Sequence, residues 1–498
     1  MRGRPRSASP AADRTPDEST ANGSGPPGFP RSGPNQGTIL FRATAPGTRL
    51  SSGTSQSVIP LSMNQSELLL PVARRRDFLK SSSAATLAGA VATSLSFPAV
   101  LRGAPNGAKL KIGLIGVGGR GSGAAGNALG ADSSSELWSV GDVSASQIEG
   151  QLNGLKNQFG ERINVAPERR FVGMDAYKKV LDSGVDVVLL ATPPGFRPLH
   201  LAAAVDAGKH IFCEKPMAVD ATGVRSVMES VRKSKEKNLN LVAGFCWRYC
   251  TSRRELFTAV HGGDIGEIVS YYGTYYTGPV KPMPPAGSRK EGLSDVAWQI
   301  RNWYNFSWLS GDGYVEQCIH TVDKMAWLFK DQPPVACVAT GGRQAPAEGG
   351  NIFDHMTAVY EYPKGVFATV GQRQIPNCFN ENADYIQGTK GMAVIGRGVS
   401  IRGEKNARYK EDNDAMYDQE HRELFAAIRS GNVINDGERM ATSTLLGIMG
   451  RMAAYSGQRV TWEQALNSKE DLAPEETFTW ESAFEPTPRP IPGQYKLV

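Results

Sequence analysis

Between residues 109 and 245, short apolar runs alternate with stretches whose apolar residues recur every three to four positions. The runs 109–116 (KLKIGLIG), 136–142, 185–191, 210–213 and 240–245 read as strands. The stretches 120–130, 147–158, 198–207 and 222–235 read as helices. Strands that are apolar throughout, without alternation, are buried on both faces, as in a parallel sheet covered by helices. The predicted fold class is therefore α/β, opening with a doubly wound parallel sheet. Beyond Cys246 the texture changes to longer, aromatic-rich, alternating segments at 268–276, 336–340, 356–362, 366–373, 383–387 and 392–395. These predict an α+β domain with a largely antiparallel open sheet and one long helix at about 315–329. Helices return at 418–430 and 441–456, and a Pro-rich end follows.

The organisation expected is a 108–245 nucleotide-binding type domain, a 246–410 α+β domain, 411–470 as helices packing back on the first domain, and 471–498 as an extended tail. Ahead of these, residues 1–62 mix Arg, Ser, Pro and Gly with few large apolar groups, a composition expected to be disordered. Met63 is a plausible alternative start, which would leave 1–62 untranslated. Residues 63–107 resemble a twin-arginine export signal and its linker. The pattern R-R-x-F-L-K is met by Arg75, Arg76, Asp77, Phe78, Leu79 and Lys80, and a mildly apolar stretch follows. A short amphipathic or anchoring helix is the competing reading of this stretch. The export reading predicts a periplasmic or other extracytoplasmic location, with no stable membrane insertion after export.

Charge adds one exclusion. The chain has 55 Lys/Arg and 49 Asp/Glu, but residues 1–110 hold 13 of the cations against 5 acids, leaving 42 against 44 for the remainder. With no basic stripe interleaved with aromatics, a nucleic-acid partner is not expected. The six cysteines contain no C-x-x-C pair, so no structural metal is expected.

Three constellations carry candidate chemistry. Gly116, Gly118, Gly119, Arg120 and Gly121 form a G-x-G-x-x-G turn directly after the first strand, and Asp142 ends the next strand 21 residues past Gly121. Glycines there let backbone N–H groups approach a pyrophosphate, while the carboxylate accepts from a ribose hydroxyl and repels a 2′-phosphate. The combination predicts NAD rather than NADP. The second is Thr192-Pro193 with Glu214-Lys215-Pro216, at the strand ends where open α/β sheets bind ligands. Lys215 either assists a substrate hydroxyl there or simply pairs with Glu214. The third is Glu316, His320 and Asp323, spaced i, i+4 and i+7 so that one helix would show all three on one face. A metal set, a structurally satisfied histidine, and a proton-accepting His320 oriented by the two acids all remain open on spacing alone.

Taken in order, the glycine turn, A-T-P-P, A-G-K-H-x-x-x-E-K-P and E-x-x-x-H-x-x-D resemble the Gfo/Idh/MocA oxidoreductases over about residues 109–467. The resemblance implies hydride transfer between a sugar or cyclitol carbinol carbon and a nicotinamide cofactor, with Lys215 and His320 as catalytic residues. Glu316, where many members carry Asp, would be their relay partner. It places Arg248 and Tyr249 at the domain junction, either as packing or in contact with substrate. Arg301, Trp303 and Asp323 would line a sugar pocket, with Trp308 and His200 nearer to packing roles. It also implies a homo-oligomer formed through the sheet of the second domain. Export without a surrounding NAD pool would require a tightly held, recycled cofactor. The alternatives are an NAD-dependent hydrolase or lyase that oxidises its substrate only transiently, and a non-enzymatic sugar- or NAD-binding protein.

Overall fold

The computed structural model describes residues 107–498 apart from 346–347, 411–414 and 473–477. The expected disordered segment and export signal, up to residue 106, lie outside the described residues.

Six strands, β1 (Leu110–Ile115), β2 (Ser135–Asp142), β3 (Arg170–Val172), β4 (Val187–Leu190), β5 (His210–Cys213) and β6 (Leu241–Ala243), form one sheet in the order β3-β2-β1-β4-β5-β6. Every pairing in it is parallel. The order reverses between β1 and β4, so the loops leaving their carboxyl ends splay apart and open a crevice. Helices α1 (Gly119–Ala131), α2 (Ala145–Phe159), α3 (Ala176–Asp182), α4 (Arg197–Asp206) and α5 (Ala221–Glu236) are the connections. The three-residue β3 and seven-residue α3 were not expected, being too short for a periodicity to establish itself.

After α6 (Thr251–His261), the chain forms β7 (Ile268–Thr277), which becomes the middle strand of a second sheet. Four short helices follow: α7 (Asp295–Arg301), α8 (Ser307–Ser310), α9 (Gly313–Glu316) and α10 (Ile319–Leu328). The remaining strands are β8 (Ala336–Gly342), β9 (His355–Tyr362), β10 (Val366–Gln374), β11 (Glu381–Gly388), β12 (Gly391–Ile395), β13 (Val399–Gly403), β14 (Ala407–Tyr409) and β15 (Val460–Thr461). The nine-stranded order is β14-β13-β12-β11-β7-β10-β9-β8-β15, antiparallel except where β10 runs parallel to β7. α10 is fixed to this sheet by the buried ion pair of Lys324 with Asp384 and by the Tyr271 hydroxyl, which donates to the Thr321 carbonyl at 3.1 Å.

The expected single helix over 315–329 is broken. α9 stops at Glu316 and α10 begins at Ile319, with Gln317 and Cys318 between them outside either helix. The Gln317 side-chain amide donates to Glu316 at 2.8 Å and accepts from the Tyr275 hydroxyl at 2.7 Å. Glu316, His320 and Asp323 therefore do not share a helix face.

Two helices near the C-terminus join the domains. α11 (Met416–Ser430) packs on α1 and closes the second face of the parallel sheet through Leu424, Phe425 and Ile428. α12 (Gly437–Ser456) is buried almost along its whole length between α5 on one side and α10, β8 and β9 on the other. One core runs continuously through β5, β6, α5, α12 and the second sheet. β15, after α12, adds a strand to that sheet's edge, followed by α13 (Trp462–Asn467). The described residues of the expected extended tail form no helix or strand and pack back on the body. The Val498 carbonyl accepts from Lys469 N at 2.8 Å, and the Gly493 amide donates to Ser456 at 2.9 Å.

Candidate active site

The carboxyl ends of β1, β4 and β5 converge on a cleft of about 1230 Å³ between the two sheets. A single small-molecule site rarely exceeds about 1,000 Å³, so this volume suits a dinucleotide together with a second, smaller ligand.

The glycine turn forms one wall. Gly116 has φ +92°, and a Cβ there would strike the Ala191 carbonyl carbon at 2.7 Å, so the position excludes other residues. A Cβ on Gly121 would lie 1.9 Å from the Gly116 carbonyl oxygen, so this glycine lets α1 start tight against β1. Gly118 and Gly119 are different. Both line the cleft, yet a Cβ on either would meet no protein atom within 4 Å, so a side chain would occupy cleft space alone. The first turn of α1 has no side-chain cap, which leaves its N–H groups for an anion. Asp142 braces the turn by accepting from Val117 N at 2.7 Å and Ser144 N at 3.0 Å. Burial raises its pKa against those bonds. These features suit a dinucleotide with its pyrophosphate over the turn and its ribose at Asp142.

Arg120 lies on the same wall, but its guanidinium is committed to protein carboxylates. It pairs with Glu214, stands 3.5 Å from Glu420, and stacks over Tyr417 at 4.7 Å. Burial disfavours the Glu214 charge, but Arg120, Lys215 and Arg197 outweigh burial and hold its pKa low. Burial and Glu214 together push Glu420 up. Thr192 and Pro193 also line the cleft, and Thr192 Oγ1 bonds His200 Nδ1 at 3.0 Å. His200 is held neutral by burial and the nearby Arg197, its pKa lowered to about 3. Arg197, not singled out from sequence, bonds the carbonyls of Thr192 and Pro216 and so ties the β4 and β5 loops together. A Cβ on Gly244 would sit 2.7 Å from Glu214 Oε2, so glycine there makes room for the acid.

Lys215 reaches across the cleft. Its Nζ donates to the Glu316 carbonyl at 2.6 Å and to Glu316 Oε1 at 2.9 Å, and both side chains are under 10% exposed. His320 lines the same cleft, and its buried Nδ1 has no hydrogen-bond partner. Burial, then Lys215, Lys324 and Arg120, lower its pKa well below the usual value, so the ring is a neutral base at physiological pH. The structure thus brings Lys215, Glu316 and His320 together, but with a different wiring from the one expected. Glu316 is bonded to Lys215 and Gln317 rather than to the imidazole.

Three expected substrate contacts lie elsewhere. Asp323 is 2% exposed and accepts from Arg248 at 3.0 Å and from Ser443 Oγ at 2.7 Å. Arg248 is also buried and further paired with Asp331 at 2.6 Å. The Tyr249 hydroxyl donates to Asp436 at 2.6 Å. None of the three lines the cleft. They form an internal polar seam between α10, α12 and the turn after β6, a packing role that ions separated by 75 residues reveal only once folded. Arg301 and Trp303 do line the cleft, whereas Trp308 is buried with its indole N–H on Gln299 at 2.7 Å. Trp247, Tyr275, Lys281, Tyr304 and Asn382 are among the other lining residues of the second domain, and Trp480 joins them from the C-terminal segment. These come from separate strands and loops with no local spacing to betray them.

Comparison with known proteins agrees with this geometry. Residues 110–241 match the family described as "Oxidoreductase family, NAD-binding Rossmann fold", and residues 254–394 match the GFO/IDH/MocA C-terminal domain. Inositol 2-dehydrogenase of Salmonella typhimurium is 24% identical over 334 residues, covering 65% of this chain and 87% of that one. The 2,7-anhydro-N-acetylneuraminate hydratase of Escherichia coli is 25% identical over 236 residues, 47% of this chain and 57% of its own. Among solved structures, aldose-aldose oxidoreductase from Caulobacter crescentus shares the fold at a TM-score of 0.56 with 18% identity, covering 71% of this chain and 99% of that one. Myo-inositol 2-dehydrogenase from Lactobacillus plantarum shares it at 0.55 with 20% identity, over 71% and 99%.

Proposed function

We propose that this chain, which belongs to the Gfo/Idh/MocA family of NAD-binding oxidoreductases, oxidises or reduces a carbinol carbon of a sugar or cyclitol. The observation that carries the reading is the meeting, in one cleft, of the open glycine turn with Lys215 from the first domain and His320 from the second. NAD bound there supplies the hydride acceptor or donor. The residues of the chain do the remainder. Gly116 to Gly121 and Asp142 bind and orient the dinucleotide. Lys215, held in place by Glu316, hydrogen-bonds the reacting oxygen, and neutral His320 accepts its proton during oxidation and returns it during reduction. Such acid–base transfer contributes on the order of 10²–10⁴-fold, with positioning supplying more. Trp303 offers an apolar face to the C–H side of a sugar ring, and Arg301 a donor to its hydroxyls.

The R-R-x-F-L-K pattern at residues 75–80 supports export by the twin-arginine route, and hence a cofactor that stays bound and is recycled in place. The open nine-stranded sheet supports a homo-oligomer built on its uncovered face. The test is to release and identify the nucleotide from protein prepared without added NAD, then follow reduced-nicotinamide absorbance across a panel of sugars and cyclitols. A lasting rise with one substrate class supports net oxidation. Product formed with no lasting change supports the transient-oxidation chemistry to which the hydratase likeness points.

A further inference from the structure

The C-terminal segment after α13 lies beyond both family matches, yet its Trp480 lines the cleft. Residues 478–484 are tied to α7 at several points. Ser294 Oγ bonds the Trp480 carbonyl and Gln299 Nε2 bonds the Phe484 carbonyl. Phe484 N donates to Asp295 at 3.2 Å, and Val296 N to the Ser482 carbonyl at 3.4 Å. Backbone fixed this way holds its side chains without depending on them.

Those side chains span the two domains. Phe478 stacks on Phe196, 6.3 Å between centroids, in the loop that follows Thr192-Pro193. It also meets Trp308 edge-on at 5.7 Å, while Phe484 meets Trp308 from the side at 5.5 Å. Gly195 approaches the same place so closely that a Cβ would sit 2.2 Å from the Trp308 carbonyl oxygen. The same aromatic cluster takes in Val143 and Met174, which line the cleft next to Asp142. Trp480 belongs to this cluster and also faces the cleft.

We infer that Trp480 is a positioning residue for the cofactor: the C-terminal arm straps the cleft on its dinucleotide side, and the indole retards release of the bound nucleotide. This rests on the reading of the cleft as an NAD site. It rests on Trp480 lining the cleft while sharing one apolar cluster with Val143 and Met174, which line the cleft beside Asp142, and with Phe196 of the β4 loop. It also gives physical form to the cofactor retention that the proposed export would require, since affinity is set mostly by the off-rate.

The experiment measures dissociation of NADH from the full-length protein by chase with excess NAD, for wild type, W480A, W480L and W480F, alongside KM for a turned-over sugar. W480A is expected to release NADH about tenfold faster, W480F to return close to the wild-type rate, and KM for the sugar to stay within about twofold. W480L, which keeps apolar packing on the anchored backbone, gives the same answer should W480A lose its fold. Wild-type release rates in W480A or W480L would overturn the inference, as would a rise confined to the sugar KM. Wild-type protein that binds no NADH would overturn the underlying cofactor reading as well, so the two failures are told apart.

Discussion

Replacing Lys215 with Met tests the ion pair and the chemistry at once, because the two consequences separate in a double mutant. Lys215 and Glu316 are both nearly buried and 2.9 Å apart. Removing the ammonium strands a carboxylate whose remaining partner is the Gln317 amide at 2.8 Å. Breaking a fully buried pair costs about 3–5 kcal/mol, and the surviving hydrogen bond lowers the expectation here to about 2–3 kcal/mol. Adding Glu316→Gln removes the stranded charge, so the double variant should recover at least half of that loss, read as the midpoint of denaturant unfolding. Activity should behave otherwise. K215M should lose about 10²–10⁴-fold in kcat, and the double variant should stay as low, since neither restores a donor to the reacting oxygen. A double variant that regained activity along with stability, or a K215M protein within tenfold of wild type, would refute the assignment of Lys215 to the chemistry and leave it a structural cation.

Gly118→Val should leave stability within about 1 kcal/mol, since its φ of −75° suits any residue and its Cβ meets no protein atom, while NAD affinity measured by titration calorimetry falls at least about tenfold. Arg248→Met should destabilise the fold by about 3–5 kcal/mol through the abandoned Asp323 and Asp331, with kcat of the folded fraction unchanged, as chemical unfolding and steady-state kinetics would show. Acid should weaken the fold through its buried imidazoles. Burial lowers His200 to about 3 and His210 and His421 to about 4, and holds His320 well below its usual value. The unfolded chain takes up these protons near pH 6.5 while the folded chain refuses them. The stability is therefore complete above that pH and lost as pH falls toward 4, at up to about 1.4 kcal/mol per unit for each imidazole. An unfolding free energy that stayed flat between pH 7 and 5 would contradict this.

The parallel sheet was legible because its central strands are short, mostly apolar runs that alternate with helix-like stretches, as at 187–190 and 210–213. The glycine turn was legible for a similar reason, in that Gly116 and Gly121 answer to backbone clashes that are local in sequence. What escaped depends on distant partners. Residues 315–329 carry a helix-like period, and the break between Glu316 and Ile319, where the Gln317 side chain meets Tyr275 from β7, has no local signal. Arg248 looked available for a ligand until Asp323 and Asp331 folded against it. The tail carries prolines and scattered aromatics with no periodicity, so nothing local announced that Trp480 would reach the cleft. Sequence position pointed to Lys215, Glu316 and His320, but the bond of Glu316 to Lys215, spanning 101 residues, could not be read from local spacing.

The most direct test of the central claim follows an isotope. A substrate found in the sugar panel, deuterated at its reacting carbon, is mixed with the protein carrying bound NAD, and the nucleotide is then released and weighed by mass spectrometry. Deuterium on the nicotinamide ring in wild type, with its appearance slowed by orders of magnitude in K215M and in a His320→Ala variant, is the predicted result. Product carrying away its deuterium while the nicotinamide stays unlabelled throughout, or label transfer unchanged in both variants, would contradict it.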